Sequence, residues 1–186
     1  MVLNKRVKLE GSKEQRITKA LEIAGWFSGR CVDISLVEEY YRVQGAFLTE
    51  PAKSFFREYY GLAGKWYSKH NYDSNKPSAQ DIDFFLFPDE ENLYDLNEYL
   101  YEDISGKIIK GKDVVEYSNA KNTAQEAIIL VGKIGYYYPG LVFIGESGKF
   151  YMAHDYEDEV RVFNSLLELI ERELERHDFD YVTVVK

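Results

Sequence analysis

Three helix starts and three glycine stops occupy the first third of the chain, ahead of any strand-like segment, and that order constrains the fold most. Ser12 and Gln15 have the spacing of a capping box, in which each side chain accepts a backbone N–H of the first turn. Ile17, Ala20, Leu21 and Ala24 follow at helical spacing, and Gly25 ends the run. Ser35 with Glu38 repeats the box before Val37, Tyr40 and Tyr41, with Gly45 as its stop. Thr49 and Pro51 open a third helix carrying Ala52, Phe55, Phe56 and Tyr59, which Gly61 closes.

The remainder reads mostly as strands. "GKWYSKH" and "IDFFLF" are strand-length runs separated by the loop composition "NYDSNKPSAQ". Asp89 is expected to start a helix with Leu93, Leu96, Tyr99 and Leu100 on its inner side. "KIIKGKDVVEYS" and "AIILVGKIGYYY" are read as strands. "GLVFIGESGKFYMAHD" is a hairpin turning at Ser147-Gly148. Asn164 or Ser165 caps a last helix bearing Leu166, Leu167, Leu169, Ile170 and Leu174, and "FDYVTVVK" is a terminal strand. Helices, then a mainly antiparallel sheet, then a helix make an α+β fold, expected as one domain over residues 1–186 with the helices packed on the sheet.

Charge narrows the partners. The net charge is −9, yet residues 1–30 carry +4, which leaves −13 on the rest. Residues 81–103 hold nine acidic side chains and no basic one. Such a surface repels nucleic acid and attracts basic proteins. With 16 tyrosines, the chain can present faces that are both apolar and wet. A single cysteine rules out an internal disulfide and a cysteine-based metal site. Neither an apolar leader nor a membrane-length run is read, so the expected compartment is a reducing cytoplasm, with no membrane partner.

No constellation for catalysis assembles. Cys31 beside Arg30 has the context of an activated thiol, but nothing near it pairs it with His70, His154 or His177, and a small packed apolar role is expected. "AHDYED" offers His154, Asp155 and Glu157 without further ligands and is read as a solvated acidic turn. "GESGK" lacks the earlier glycine of a phosphate loop and has Phe150 where a hydroxyl is needed. Glu168, Glu171, Arg172, Glu175 and Arg176 read as a solvated helix face. No catalytic residue, cofactor or metal is expected.

Trp26, Gly29, Arg30 and Asp33 after the first helix, together with "AKSFFREYYGL", resemble the opening of the SUKH superfamily, closest to its SUKH-3 type. Phe56 and Tyr59-Tyr60 stand where that pattern has Leu and Phe-Gly. "YYPGLVFIGESGKFYMAHD" is similar to the family's hairpin and "NSLLELIERELER" to its closing helix, so the likeness covers most of residues 17–176. The resemblance implies a SUKH/SMI1-like fold and a bacterial immunity protein that neutralises a cognate toxin, often a nuclease, by direct contact. Trp26, Gly29, Arg30 and Asp33 are then expected to hold the corner between the first two helices. Trp26 should lie mostly buried there, and Arg30 should meet a carboxylate or the carbonyls at a helix end. The expected partner-binding residues are acidic ones and their tyrosine neighbours: Asp89, Glu90, Glu91, Tyr94, Asp95, Glu98, Tyr101, Glu102 and Asp103, with Asp155, Glu157, Asp158 and Glu159. The alternatives are a general protein- or peptide-binding module of the same fold and a small hydrolase using Cys31.

Overall fold

The computed structural model describes residues 6–43, 47–68, 82–86, 101–102, 108–109, 115–135, 139–177 and 179–183. In chain order its elements begin with β1 (Arg6–Lys8), α1 (Lys13–Ile23), α2 (Ser35–Val43), α3 (Glu50–Tyr59), β2 (Leu62–Ser68) and β3 (Ile82–Leu86). Two short strands follow, β4 (Tyr101–Glu102) and β5 (Ile108–Ile109), then α4 (Val115–Ala124), β6 (Ile128–Gly135), β7 (Gly140–Gly145) and β8 (Phe150–Ala153). β9 (Arg161–Phe163), α5 (Leu166–His177) and β10 (Phe179–Thr183) complete the order. This is the α+β architecture expected from the sequence.

Among the described residues eight strands form one sheet in the order β1-β10-β2-β3-β6-β7-β8-β9, with each of these pairings antiparallel. β4 and β5 pair separately. Strand alternation sorts the side chains onto two faces. Val142, Ile144, Phe150 and Met152 join residues of α1, α2, α3 and α5 in the larger core, whereas Leu141, Phe143, Tyr151 and Ala153 join Ala120 of α4 in a smaller one. The sheet is therefore packed on both sides. In β6 the register shifts by a bulge between Leu130 and Gly132, and there the Tyr41 hydroxyl of α2 donates to the Leu130 carbonyl. Burial pushes the Tyr41 hydroxyl pKa upward, so it remains a donor.

Local chemistry explains the ends of elements. Ser12 and Gln15 form the full capping box of α1. At the other end Trp26 N–H reaches the Leu21 carbonyl and Gly25 N–H the Glu22 carbonyl, with Gly25 at φ +108°. That is a Schellman closure, and its left-handed residue favours glycine. Thr49 caps α3, with Pro51 in its first turn. Gly148, at φ +80°, completes the turn between β7 and β8.

Several expectations need correction. Of the strand read across "KIIKGKDVVEYS", the described residues give the short strand Ile108–Ile109, and Val115 instead begins helix α4. β-Branched Val114-Val115 and Tyr117 suggested a strand. Propensity yields to packing here, because Ala120 is fully buried and Tyr117 and Ala124 pack partly buried beside it against the sheet. α2 is not started by a Ser35–Glu38 box. The Asp33 carboxylate accepts the Ser35 N–H at 3.0 Å and its hydroxyl at 2.6 Å, and Glu38 instead faces Lys53 of α3 at 3.2 Å. Leu167, one of the apolar residues read on the last helix, is exposed, whereas Leu166, Leu169 and Ile170 are buried. The Gly45 stop, the helix expected from Asp89 and its inner residues Leu93, Leu96, Tyr99 and Leu100 lie outside the described residues.

Candidate partner-binding site

The Trp-Gly-Arg passage closes α3 from outside. The last turn of any helix leaves carbonyls without intrahelical donors. Here the Val32 N–H donates to the Arg57 carbonyl at 2.9 Å, and the Arg30 guanidinium spans the Glu58 and Tyr60 carbonyls at 2.6 and 2.7 Å. A cation at a helix C-terminus is also favoured by the helix dipole. Burial of the guanidinium pushes its pKa down. Arg30 thus meets helix-end carbonyls, one of the two alternatives the sequence left open. Asp33 is occupied by Ser35, whose hydrogen bonds hold its carboxyl below the usual carboxylate range.

Trp26 departs from expectation in its neighbour. It packs partly buried against the larger core, and its indole N–H donates to Glu58 of α3 at 3.0 Å. The corner therefore joins the segment after α1 to the end of α3, not simply α1 to α2. Cys31 is exposed instead of packed. His154 is far from solvated, being 3% exposed, while the side chains of His70 and His177 lie outside the described residues. Among the described residues no group of three or more His, Cys, Asp or Glu side chains is placed to hold a metal ion.

The acidic candidates divide into two sets. Asp89, Glu90, Glu91, Tyr94, Asp95, Glu98 and Asp103 lie outside the described residues, and Tyr101 and Glu102 are described only as backbone of β4. Asp155, Glu157, Asp158 and Glu159 lie together on the segment between β8 and β9. Asp155, Asp158 and Glu159 are exposed. Glu157 is half-buried and takes a two-oxygen contact from Arg161 Nη2, at 2.8 and 2.5 Å. Arg161 Nη1 donates to Glu173 of α5 at 2.9 Å, and His154 Nδ1 lies 3.7 Å from Glu157.

Glu173, only 2% exposed, escaped the sequence reading. The signal was present: Leu166, Leu169, Ile170 and Glu173 share the i, i+3, i+4, i+7 spacing of one helix face, so a carboxylate interrupts the buried stripe. Arg161 was likewise missed as its counter-ion. A second carboxylate, Glu126, anchors the β7–β8 turn by accepting from Ser147 N–H, Ser147 Oγ and Tyr151 Oη at 2.8, 2.6 and 2.8 Å. Burial alone would raise its pKa, but those hydrogen bonds outweigh it and hold the carboxyl low.

The corner, the hairpin and the closing helix thus occur together in one sheet-centred fold, and the sequence profile of the SUKH-3 immunity protein family matches residues 13–172. The chain belongs to the SUKH-3 family. No curated protein and no solved structure is significantly similar to it. The match runs from α1 into α5, so the SUKH-3 family span contains both the corner on α3 and the segment 155–159. No helix among the described residues is long and apolar enough to cross a membrane.

Proposed function

We propose that this SUKH-3 chain neutralises a cognate toxin by binding it directly, presenting acidic side chains to a basic face such as that of a nuclease, and that it catalyses no reaction of its own. The observation that carries the reading is the match to an immunity protein family over residues 13–172. The charge distribution supports the sign of the partner: net −9, with nine acidic residues and no basic one in residues 81–103 and three exposed carboxylates at 155, 158 and 159. Charge of one sign steers an opposite partner and speeds encounter, more at low salt than at high. The corner residues Trp26, Arg30 and Asp33 hold the fold on this reading, and the site of action is the cytoplasm.

The test is co-expression with the lethal domain encoded by the adjacent gene. Cells carrying both should survive, and the two proteins should co-purify as a complex that weakens in high salt. Death of the cells despite soluble, folded protein would remove the toxin-neutralising role. Survival without a complex would remove direct binding as its mechanism.

A further inference from the structure

β9 ends the strand order of the sheet. It pairs with β8 through Phe163↔Phe150, Val162↔Tyr151 and Arg161↔Met152, and no strand among the described residues covers its outer side. An open strand edge offers main-chain donors and acceptors to an incoming extended chain. The segment that leads into this edge is held in place. Arg161 grips Glu157 on that segment and the buried Glu173 on α5, and the Tyr156 ring lies 5.0 Å from that of buried His154. A buried ion pair adds little net stability, because desolvation offsets the attraction. Its effect here is geometric, fixing the path of residues 157–161.

What the path displays is uniform in character. Asp155, Asp158 and Glu159 are exposed, and Glu157 is engaged by Arg161. Two apolar groups stand among these charges: Tyr156, 57% exposed, and Val162 on β9, 46% exposed. A strand edge unpaired among the described residues, exposed carboxylates and exposed apolar side chains complement a strand that alternates basic and apolar residues.

We propose that the outer edge of β9 is the toxin-docking surface: a basic, extended segment of the toxin adds to it as a further strand and lays its cations against Asp155, Asp158 and Glu159. Main-chain hydrogen bonds to β9 supply affinity, and the carboxylates select the charge and register of the incoming chain. This rests on the immunity reading above and assigns it a place. It also ranks segment 155–159 above the acidic run of residues 89–103 as the contact.

Amide hydrogen exchange on the full chain, with and without the catalytically inactivated toxin domain from the adjacent gene, tests it. Complex formation should slow exchange at residues 161–163 by about tenfold or more. The triple variant Asp155→Lys, Asp158→Lys, Glu159→Lys should lose at least about tenfold in affinity at low salt, with a melting temperature no lower than that of the wild type. Unchanged exchange at 161–163 in a complex that does form, or full affinity in the triple variant, overturns the β9 proposal alone. Absence of any complex with the wild-type chain overturns both this proposal and the immunity reading beneath it.

Discussion

Replacing Arg30 by Ala removes the outside cap of α3. Two charge-assisted hydrogen bonds disappear together, to the Glu58 carbonyl at 2.6 Å and the Tyr60 carbonyl at 2.7 Å. Bonds from a charged donor are each worth about 1.5–3 kcal/mol, so the pair amounts to about 3–6 kcal/mol before compensation. Two effects reduce that figure. Arg30 is only half-buried, so water can reach the abandoned carbonyls, and the variant no longer desolvates a guanidinium. A net loss of about 2–3 kcal/mol remains. For a chain of this length each kcal/mol moves the melting temperature by about 2–4 °C, so a fall of about 4–12 °C is expected. Arg30→Lys keeps the charge, but one ammonium on a flexible stem cannot reproduce the planar fork, and it should recover no more than half. Urea unfolding followed by tryptophan fluorescence measures the loss, provided the slope with urea is unchanged. A loss below about 1 kcal/mol in the Ala variant, or full stability in the Lys variant, would refute the capping role.

Glu126→Ala should cost about 1–2 kcal/mol at neutral pH, since three hydrogen bonds to a partly solvated carboxylate are lost. Because hydrogen bonding holds the native Glu126 carboxyl below its usual range, the stability it contributes is present above the unfolded pKa and is lost as pH falls through the folded one. The gap in urea midpoints between wild type and variant should therefore shrink from pH 7 to pH 3. Glu116 has the opposite sign: burial raises its pKa, with the charge of Asp155 adding to the shift. Relative to the unfolded chain the native state disfavours the charged form, so wild-type stability falls as pH rises above the unfolded pKa. Glu116→Gln should melt higher than wild type at pH 7, and the difference should close at about pH 4. Cys31→Ala should change stability by less than about 0.5 kcal/mol and leave toxin neutralisation intact, whereas native Cys31 should react with a thiol reagent without denaturant. A loss of protection by a folded Cys31→Ala protein would reopen the question of its role.

Most of the fold was legible where local and global preferences agree. The capping box of α1, the Thr49–Pro51 start of α3 and the turn at Gly148 are short-range signals that survive tertiary packing. α4 was misread because Val115 and Tyr117 favour strands in isolation, while Ala120 and Ala124, at helical spacing, favour close approach to a sheet. β1, three residues that alternate charge and Val7, falls below the length at which alternation is detectable, and only its pairing with β10 defines it. Asp33 was expected in the corner but not as the group that starts α2, because a carboxylate two residues before the helix is a weaker signal than a hydroxyl three residues before a Glu. Glu173 was the avoidable miss. It shares one helix face with Leu166, Leu169 and Ile170, and a carboxylate on such a face needs a counter-ion, here Arg161.

The two arginines show why family membership was easier to read than the binding site. Arg30 directs both terminal nitrogens to backbone carbonyls, Trp26 directs its N–H to Glu58, and Asp33 is occupied by Ser35. The contacts of Arg30 depend on backbone geometry alone and those of Trp26 and Asp33 stay within the corner, so the same side chains can serve a chain with any partner, and a sequence pattern containing them reports the fold. Arg161 is different. Its partners, Glu157 and Glu173, are side chains, and one of them belongs to a segment whose remaining carboxylates are exposed. A fold requires no particular charge there; a partner does. If recognition lies on segment 155–159 and β9, charge changes at 155, 158 and 159 should alter which toxin is bound while the corner stays as it is and stability does not fall. If they lower stability instead, the segment belongs to the frame and the specificity must lie elsewhere.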